Sequence, residues 1–136
     1  MAAGKPLLAV MDLEPKQGLT TMEAQTITGV LRTALLRTGE FSMINREDMR
    51  SIALNHEIEL ALCGEDACLL RLGMLLGAQL LVAGDVGRMF EEEYWINVRM
   101  VDVTGDTLRN RAVASAKATG SYESFEQAME RIASEL

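Results

Sequence analysis

The spacing of apolar residues changes along the chain and predicts helices alternating with strands. Near the amino end, the run PLLAVMDL (Pro6–Leu13) is apolar almost throughout, which is typical of a strand buried on both faces. Thr20 and Glu23 then form a T-x-x-E capping box, and Gly39 stands where a helix often ends in a glycine. Between them the apolar residues recur at helical spacing, at Ala24, Ile27, Leu31, Ala34 and Leu35. A long amphipathic helix is therefore predicted after the first strand.

The next segment predicts a short strand followed by two helices. FSMI (Phe41–Ile44) has the composition of a strand, and Asn45 is placed to cap the helix after it. Asp66 is predicted as the N-cap of a further helix, which Gly77 ends. Between these helices, the segment EIELALCGED (residues 57–66) is compatible with a helix, a strand or a loop.

The second half of the chain predicts three strands. Gln79–Gly87 is apolar enough to be a central strand, and Tyr94–Val103 alternates between two faces. TGD (Thr104–Asp106) is a turn signal, so Thr107–Ala118 is expected to form a hairpin with the strand before it. One face of this last strand is expected to carry Leu108, Ala112, Ala114, Ala116 and Ala118. The small alanine side chains there would let a helix lie close.

A closing helix completes the predicted order β-α-β-α-α-β-β-β-α. It begins near Ser121 or Ser124, and its apolar residues keep a helical period, at Phe125, Ala128, Met129, Ile132, Ala133 and Leu136. This order predicts an α/β sandwich of two or three layers around a mixed, mainly antiparallel sheet. Because the late strands alternate, one face of the sheet is expected to be partly open to solvent. We expect a single domain over 1–136 with an ordered core over 6–136.

The composition narrows the classes of function without identifying one. The 136 residues are 49% hydrophobic and 4% aromatic, and the formal net charge is −7. Such an acidic chain is not expected to bind nucleic acid or an anionic membrane surface, because Lys and Arg supply both kinds of binding. Every apolar run is shorter than a membrane span. The opening MAAGKPLLAV lacks the pattern of a signal peptide, so we expect either a cytosolic protein or a targeting segment absent from this sequence.

Cys63 and Cys68 are the two cysteines, and their C-x₄-C spacing leaves several interpretations open. A zinc site is not predicted, because the single histidine, His56, leaves the ligand set incomplete even with a carboxylate from Glu65 or Asp66. The spacing also differs from the C-x-x-C of thioredoxin-type redox proteins. A disulfide requires Cys63 to lie outside the following helix, because residues five apart in one helix are about 7.5 Å apart along its axis. A disulfide and a pair of free thiols both stay open.

Two further groups of residues are candidates for binding. Asp12 and Asp85 each end an apolar strand, so they either border a small-ligand pocket or merely terminate their strands. Cationic and aromatic residues on the late strands form either an interaction surface or an ordinary solvated face. The members of this second group are Tyr94, Trp95, Arg99, Arg109, Arg111 and Lys117.

Several stretches of the chain resemble one known superfamily. LRTGEFSMINRED, the C-x₄-C pair leading into LGAQLLVAGDVG, and VDVTGDTL are similar to the curli secretion-channel (CsgG-like) superfamily of bacterial envelope proteins. The soluble domain of that superfamily is similar in fold to the amino-terminal domain of TolB, and the resemblance extends from about Pro6 to the end. It brings no catalytic residues, and it implies that Cys63 and Cys68 are oxidised to a disulfide. The chain lacks the lipid-facing strands of the channel subunits and is closer in size to compact lipoproteins that activate penicillin-binding proteins.

The resemblance implies a non-enzymatic domain of the bacterial cell envelope that acts through protein–protein contacts. We expect it to be periplasmic or associated with the outer membrane, with no cofactor or metal and with a protein partner. A homo-oligomer is one possible assembly, and a lipid anchor is a feature that the native protein could carry outside this sequence. The alternatives are a small-ligand-binding regulatory domain that uses Asp12 and Asp85, and a thiol-redox protein that uses Cys63 and Cys68.

Overall fold

The computed structural model describes residues 4–136, except for the side chain of Ala61. Its elements follow the predicted order with one short strand added, β2. They are β1 (Leu7–Val10), β2 (Glu14–Pro15), α1 (Thr21–Thr38), β3 (Ser42–Met43), α2 (Arg46–Asn55), a 3₁₀ turn (Leu60–Leu62), α3 (Asp66–Leu76), β4 (Leu80–Phe90), β5 (Glu93–Asp102), β6 (Arg109–Ala118) and α4 (Tyr122–Glu135). The prediction of one domain over 1–136 includes residues 1–3, which lie outside the described residues.

The strands form one mixed sheet in the order β3-β1-β4-β5-β6. Strand β1 runs parallel to both β3 and β4, and β2 continues along the same side of β4, opposite Asp85 and Val86. The three longest strands, β4, β5 and β6, form two successive antiparallel pairs. The predicted mixed, mainly antiparallel sheet is confirmed, and so is the hairpin at TGD.

Helices lie on both faces of the sheet. Helices α1 and α4 pack on one face, where alternate residues of β5, namely Ile96, Val98 and Met100, are fully buried. Helices α2 and α3 pack on the other face, against Leu81 and Val101. The outer part of β5 and β6 on that side is exposed, because this second layer covers only part of its face. The predicted sandwich, with one face partly open, is confirmed.

Local capping explains where the helices begin and end. The Thr20 hydroxyl accepts a hydrogen bond from the Glu23 N–H at 3.1 Å, and the Glu23 carboxylate accepts one from the Thr20 N–H at 2.9 Å, as the capping box predicts. Gly39 ends α1 at φ 71°, a left-handed conformation that favours glycine. Ser121 caps α4, accepting from the Ser124 N–H at 3.1 Å. The predicted N-cap of α3 is wrong by one residue, since Glu65 holds that position and the Asp66 carboxylate contacts Arg99 instead.

The β6 strand packs on α4 through small residues, as predicted, but its first residues are turned over. The ladder between β5 and β6 shifts register between Met100 and Val101, which leaves Arg111 as an extra residue on β6. An extra residue reverses which face each earlier side chain occupies. Leu108 therefore packs with the α2–α3 side of the sheet rather than with the alanines of β6.

Candidate functional site

The open part of the sheet carries six side chains at adjacent positions, and we call it the open face. Cross-strand partners occupy the same face of a sheet, so its pairs follow directly from the register. The pairs are Trp95 with Lys117, Asn97 with Ser115, and Arg99 with Val113. Val113 is 68% exposed although it is a large apolar residue on a strand. The open face therefore combines an aromatic ring, two cations, two hydrogen-bonding side chains and one exposed aliphatic group.

The polar side chains of the open face are already linked to one another. The Ser115 hydroxyl donates to the Asn97 carbonyl oxygen at 2.8 Å, and the Asn97 amide donates to the Asp85 carboxylate at 3.0 Å. Arg99 donates to the Asp66 carboxylate at 3.0 Å. These contacts hold the side chains of the face in one arrangement, which lowers the entropy lost when a partner binds.

Trp95 supplies the aromatic ring of the open face. The Lys117 ammonium is 4.3 Å from the centroid of its ring, a cation–π contact, and 3.7 Å from the Glu93 carboxylate. Trp95 is half-buried, and its Nε1 has no hydrogen-bond partner within residues 4–136. The ring therefore presents a flat apolar surface whose position is set by a cation on the neighbouring strand.

The structure brings together three of the six residues proposed for an interaction surface. Trp95, Arg99 and Lys117 share the open face. Tyr94 lies on the covered face, with its ring 4.9 Å from that of Phe125 in an edge-to-face contact. Strand alternation alone predicts this position for Tyr94.

The remaining two arginines are displaced by the register shift. Arg109 pairs with Asp102, so it does not share the face of Arg99, and Arg111 is the extra residue of the bulge. Hydrogen bonds from Thr104 lower the pKa of Asp102, and the charges of Arg109 and Arg111 lower it further. A carboxyl pKa that is lower in the folded than in the unfolded chain stabilises the fold at pH values above the unfolded-state pKa. The contribution of Asp102 is therefore lost as the pH falls below about 4.

Asp12 and Asp85 line one cavity of about 560 Å³, which is of the size that holds small ligands. The cavity lies between the beginning of α2, the 3₁₀ turn and the edge of the open face, and Arg99 belongs both to its lining and to the open face. Arg46 and Arg50, one helical turn apart on α2, also line it. These two arginines were not among the predicted site residues, although their i, i+4 spacing after a short strand places them on one side of a helix.

The carboxylate of Asp12 forms ion pairs within this cavity. Arg46 donates two hydrogen bonds to its carboxylate, at 3.2 and 2.9 Å, and this bond raises the pKa of Arg46. Arg32 lies 4.0 Å from the same carboxylate, and burial lowers the pKa of Arg32. The buried Thr28 hydroxyl accepts from the Leu13 N–H at 2.8 Å, which ties the chain after Asp12 to α1. Asp12 is therefore a structural ion-pair partner as well as a cavity-lining residue.

Cys63 and Cys68 form a disulfide, as the resemblance implies, with their Cα atoms 5.3 Å apart. Cys63 follows the 3₁₀ turn and lies outside α3, as the geometric argument requires. It is buried against Leu69 and Leu72, and both Cys63 and Gly64 form a wall of the cavity. The disulfide therefore fixes one side of the cavity at the entrance to α3.

Candidate metal ligands and membrane-spanning helices were both sought among the described residues. In that part of the chain, His, Cys, Asp and Glu side chains do not gather in groups of three that could hold a metal ion. His56, the single histidine, is exposed at the end of α2. Every helix within residues 4–136 is too short or too polar to cross a bilayer.

Comparison with known proteins assigns the chain to a family. The family model described as the curli production assembly/transport component CsgG matches residues 2–94. The chain belongs to the CsgG family. The matched region includes the cavity residues Asp12 and Asp85 and both cysteines, whereas most of β5 and all of β6 lie beyond it. No curated protein matches the chain.

Solved structures share the fold of this chain, including the region beyond residue 94. The C-terminal domain of LpoB from Salmonella enterica is 16% identical, has a TM-score of 0.69, and is aligned over 85% of this chain and 83% of its own. Lipoprotein GNA1162 from Neisseria meningitidis is 10% identical, with a TM-score of 0.63 and 87% and 83% coverage. A PelC dodecamer from Paraburkholderia phytofirmans is 11% identical, with a TM-score of 0.61 and 100% and 90% coverage. At these identities the likeness shows the shared fold.

Proposed function

We propose that this CsgG-family chain is a non-enzymatic domain of the bacterial cell envelope that binds a protein partner on its open face. The observation that carries the proposal is the uncovered part of the sheet, where Val113 is exposed and Trp95 is half-buried beside ordered polar groups. Interfaces are enriched in aromatic and Arg side chains at their centres, and the open face supplies both. A family named for curli assembly and transport supports a role in assembly rather than in catalysis.

The location and the assembly belong to the same proposal. GNA1162 is described as a lipoprotein, which supports a periplasmic or outer-membrane-associated location. A disulfide is stable in that oxidising compartment, and it leaves neither cysteine as a free thiol for redox catalysis. PelC is described as a dodecamer, which supports a homo-oligomer as one form that this chain can take.

Site-specific photocrosslinking in the producing cell tests the proposed face. With benzoylphenylalanine at Ser115, we expect a defined crosslinked protein, because this residue lies at the centre of the open face. The same group at Gln127, exposed on α4, is the control and should give little product. Trp95→Ala should reduce the yield at Ser115 severalfold. Equal yields at both positions, or none at Ser115, would contradict a docking role for the open face.

A small-ligand-binding domain is the second candidate, and the cavity bordered by Asp12 and Asp85 supports it. Its other charged walls include Arg46, Arg50 and Arg99, so both signs of charge face the same space. Such a lining suits a zwitterionic molecule, whose carboxylate and ammonium groups can each find a partner.

A thermal-shift screen of free amino acids and short peptides tests the cavity. We expect a binding ligand to raise the melting temperature, because only the folded state contains the site. Arg50→Ala should abolish that rise, whereas Arg71→Ala on α3 should leave it unchanged, since Arg71 is exposed and does not line the cavity. A rise that survives Arg50→Ala would exclude this cavity as the ligand site.

A further inference from the structure

Among residues 4–136, strand β6 is a long edge strand that pairs with another strand on one side only. It ends the sheet order, and its residues Ala112–Ala118 pair without a register shift with β5. The other edge strand, β3, has two residues, whereas β6 has ten. A regular edge of this length presents a row of backbone N–H and C=O groups to which another extended chain can add.

The charge on this edge has one sign. The sequence of β6 is RNRAVASAKA, which contains Arg109, Arg111 and Lys117 and lacks carboxylates, in a chain whose net charge is −7. All three cations are exposed. Within residues 4–136, neither Arg109 nor Arg111 has a carboxylate inside 4.0 Å, and Lys117 has Glu93 at 3.7 Å. The edge is therefore a local cationic strip on an acidic protein.

This charge selects among the chains that could add to the edge. Two copies of β6 side by side would bring only cations to the new seam, and like charges on neighbouring strands are destabilising. An acidic strand would instead bring carboxylates to Lys117 on the open face and to Arg111 and Arg109 at and beyond the bulge, where Arg109 lies on the opposite face. An apolar residue between such acids would lie beside Val113, whose side chain is 68% exposed. The positive charge of β6 and the exposed Val113 thus favour an acidic, extended partner segment that carries an apolar residue.

We propose that β6 binds an acidic segment of a partner protein as an added β-strand. The inference rests on the proposed function, because it names the chemistry and the binding mode of a protein partner. Backbone hydrogen bonds along Ala112–Ala118 supply affinity, and the cations supply selectivity. The added strand continues the sheet beside the open face, so the same partner can contact Trp95.

A pair of synthetic peptides tests the proposal on the unmodified protein. One has the ten-residue length of β6 and alternates Glu with Thr around a central Val, and the other replaces each Glu by Lys. Binding is followed by the fluorescence of Trp95, the single Trp, whose ring lies 4.3 Å from Lys117. Amide hydrogen exchange locates the site. We expect the acidic peptide to bind at least about tenfold more tightly and to protect β6, with the preference shrinking at high salt.

Charge reversal with a matched control completes the test. Arg109→Glu, Arg111→Glu and Lys117→Glu together should invert the preference toward the basic peptide. The control triple makes the same change of charge at exposed sites away from β6, namely Lys5→Glu, Arg71→Glu and Arg131→Glu, and should keep the preference for the acidic peptide. If the first triple fails to fold, replacement of the same residues by Gln should remove the preference instead.

The outcomes separate this inference from the proposed function. Failure of both peptides to protect β6, or equal binding of the two, would overturn the acidic-strand proposal. Concentration-dependent dimerisation that protects β6 in the absence of peptide would overturn it in favour of a second copy. If crosslinking at Ser115 still traps a partner in either case, binding on the open face stands without strand addition.

Discussion

Gly84→Ala is expected to destabilise the fold by about 3 kcal/mol, because the new methyl group has no space. An added Cβ would overlap the Asn97 carbonyl oxygen and lie 2.9 Å from the Val98 Cα, both on the neighbouring strand β5. These are backbone atoms that pair with β4, so relief requires the two central strands to separate. Chemical denaturation of the purified variant measures the loss, provided that it is expressed in folded form.

Gly29→Ala is the matched control for this prediction. It adds the same methyl group within α1, where nothing lies within 4 Å of the new Cβ. Because alanine has less conformational freedom than glycine in the unfolded chain, this variant should gain up to about 1 kcal/mol. A Gly84→Ala protein as stable as the control would show that β4 and β5 do not approach each other as closely as described.

Reduction of the Cys63–Cys68 disulfide is expected to lower the stability by about 2 kcal/mol, which corresponds to about 7 °C in melting temperature. The bond closes a loop across a sequence separation of five, so its chain-entropy contribution is modest. Reduction preserves the volume of both side chains, which matters because Cys63 is packed among apolar residues. Thermal melts with and without a phosphine reductant measure the difference.

A double replacement by alanine supplies the control for reduction. Cys63→Ala with Cys68→Ala should melt at or below the temperature of the reduced protein, and it should not respond to the reductant. An oxidised protein that melts at the same temperature as the reduced one would contradict a stabilising bond. Thiol labelling after denaturation without reductant gives a second check, since the bonded cysteines should remain unlabelled.

Short-range patterns in the sequence were sufficient for most of the elements. The T-x-x-E box and Gly39 bound the first helix because capping depends on residues within one turn. The alternation in Tyr94–Val103 and the TGD turn located the hairpin because strand period and turn type are local properties. The partly open face also followed from local alternation, since the polar residues of β5 had no apolar layer to cover them.

The disulfide needed information beyond spacing. Geometry required Cys63 to leave the helix but did not distinguish a bond from free thiols, and the family resemblance supplied the oxidised state. The segment between α2 and α3 had no periodic pattern, because a 3₁₀ turn and a disulfide hold it rather than a helical or strand repeat. The periodicity of apolar residues indicates helices and strands, so it indicates neither a 3₁₀ turn nor a disulfide.

Long-range register decided the rest of the site. The extra residue Arg111 separated Arg109 from the face of Arg99 and Lys117, and a bulge of this kind depends on how two strands fit rather than on either strand alone. Asp12 and Asp85 meet at one cavity because β2 extends the chain after Asp12 along β4, a pairing of two residues too short to leave a pattern. Local chemistry thus specified the helices, strands and exposed surfaces of this chain. The grouping of its charged side chains followed from strand pairing, which acts between residues far apart in sequence.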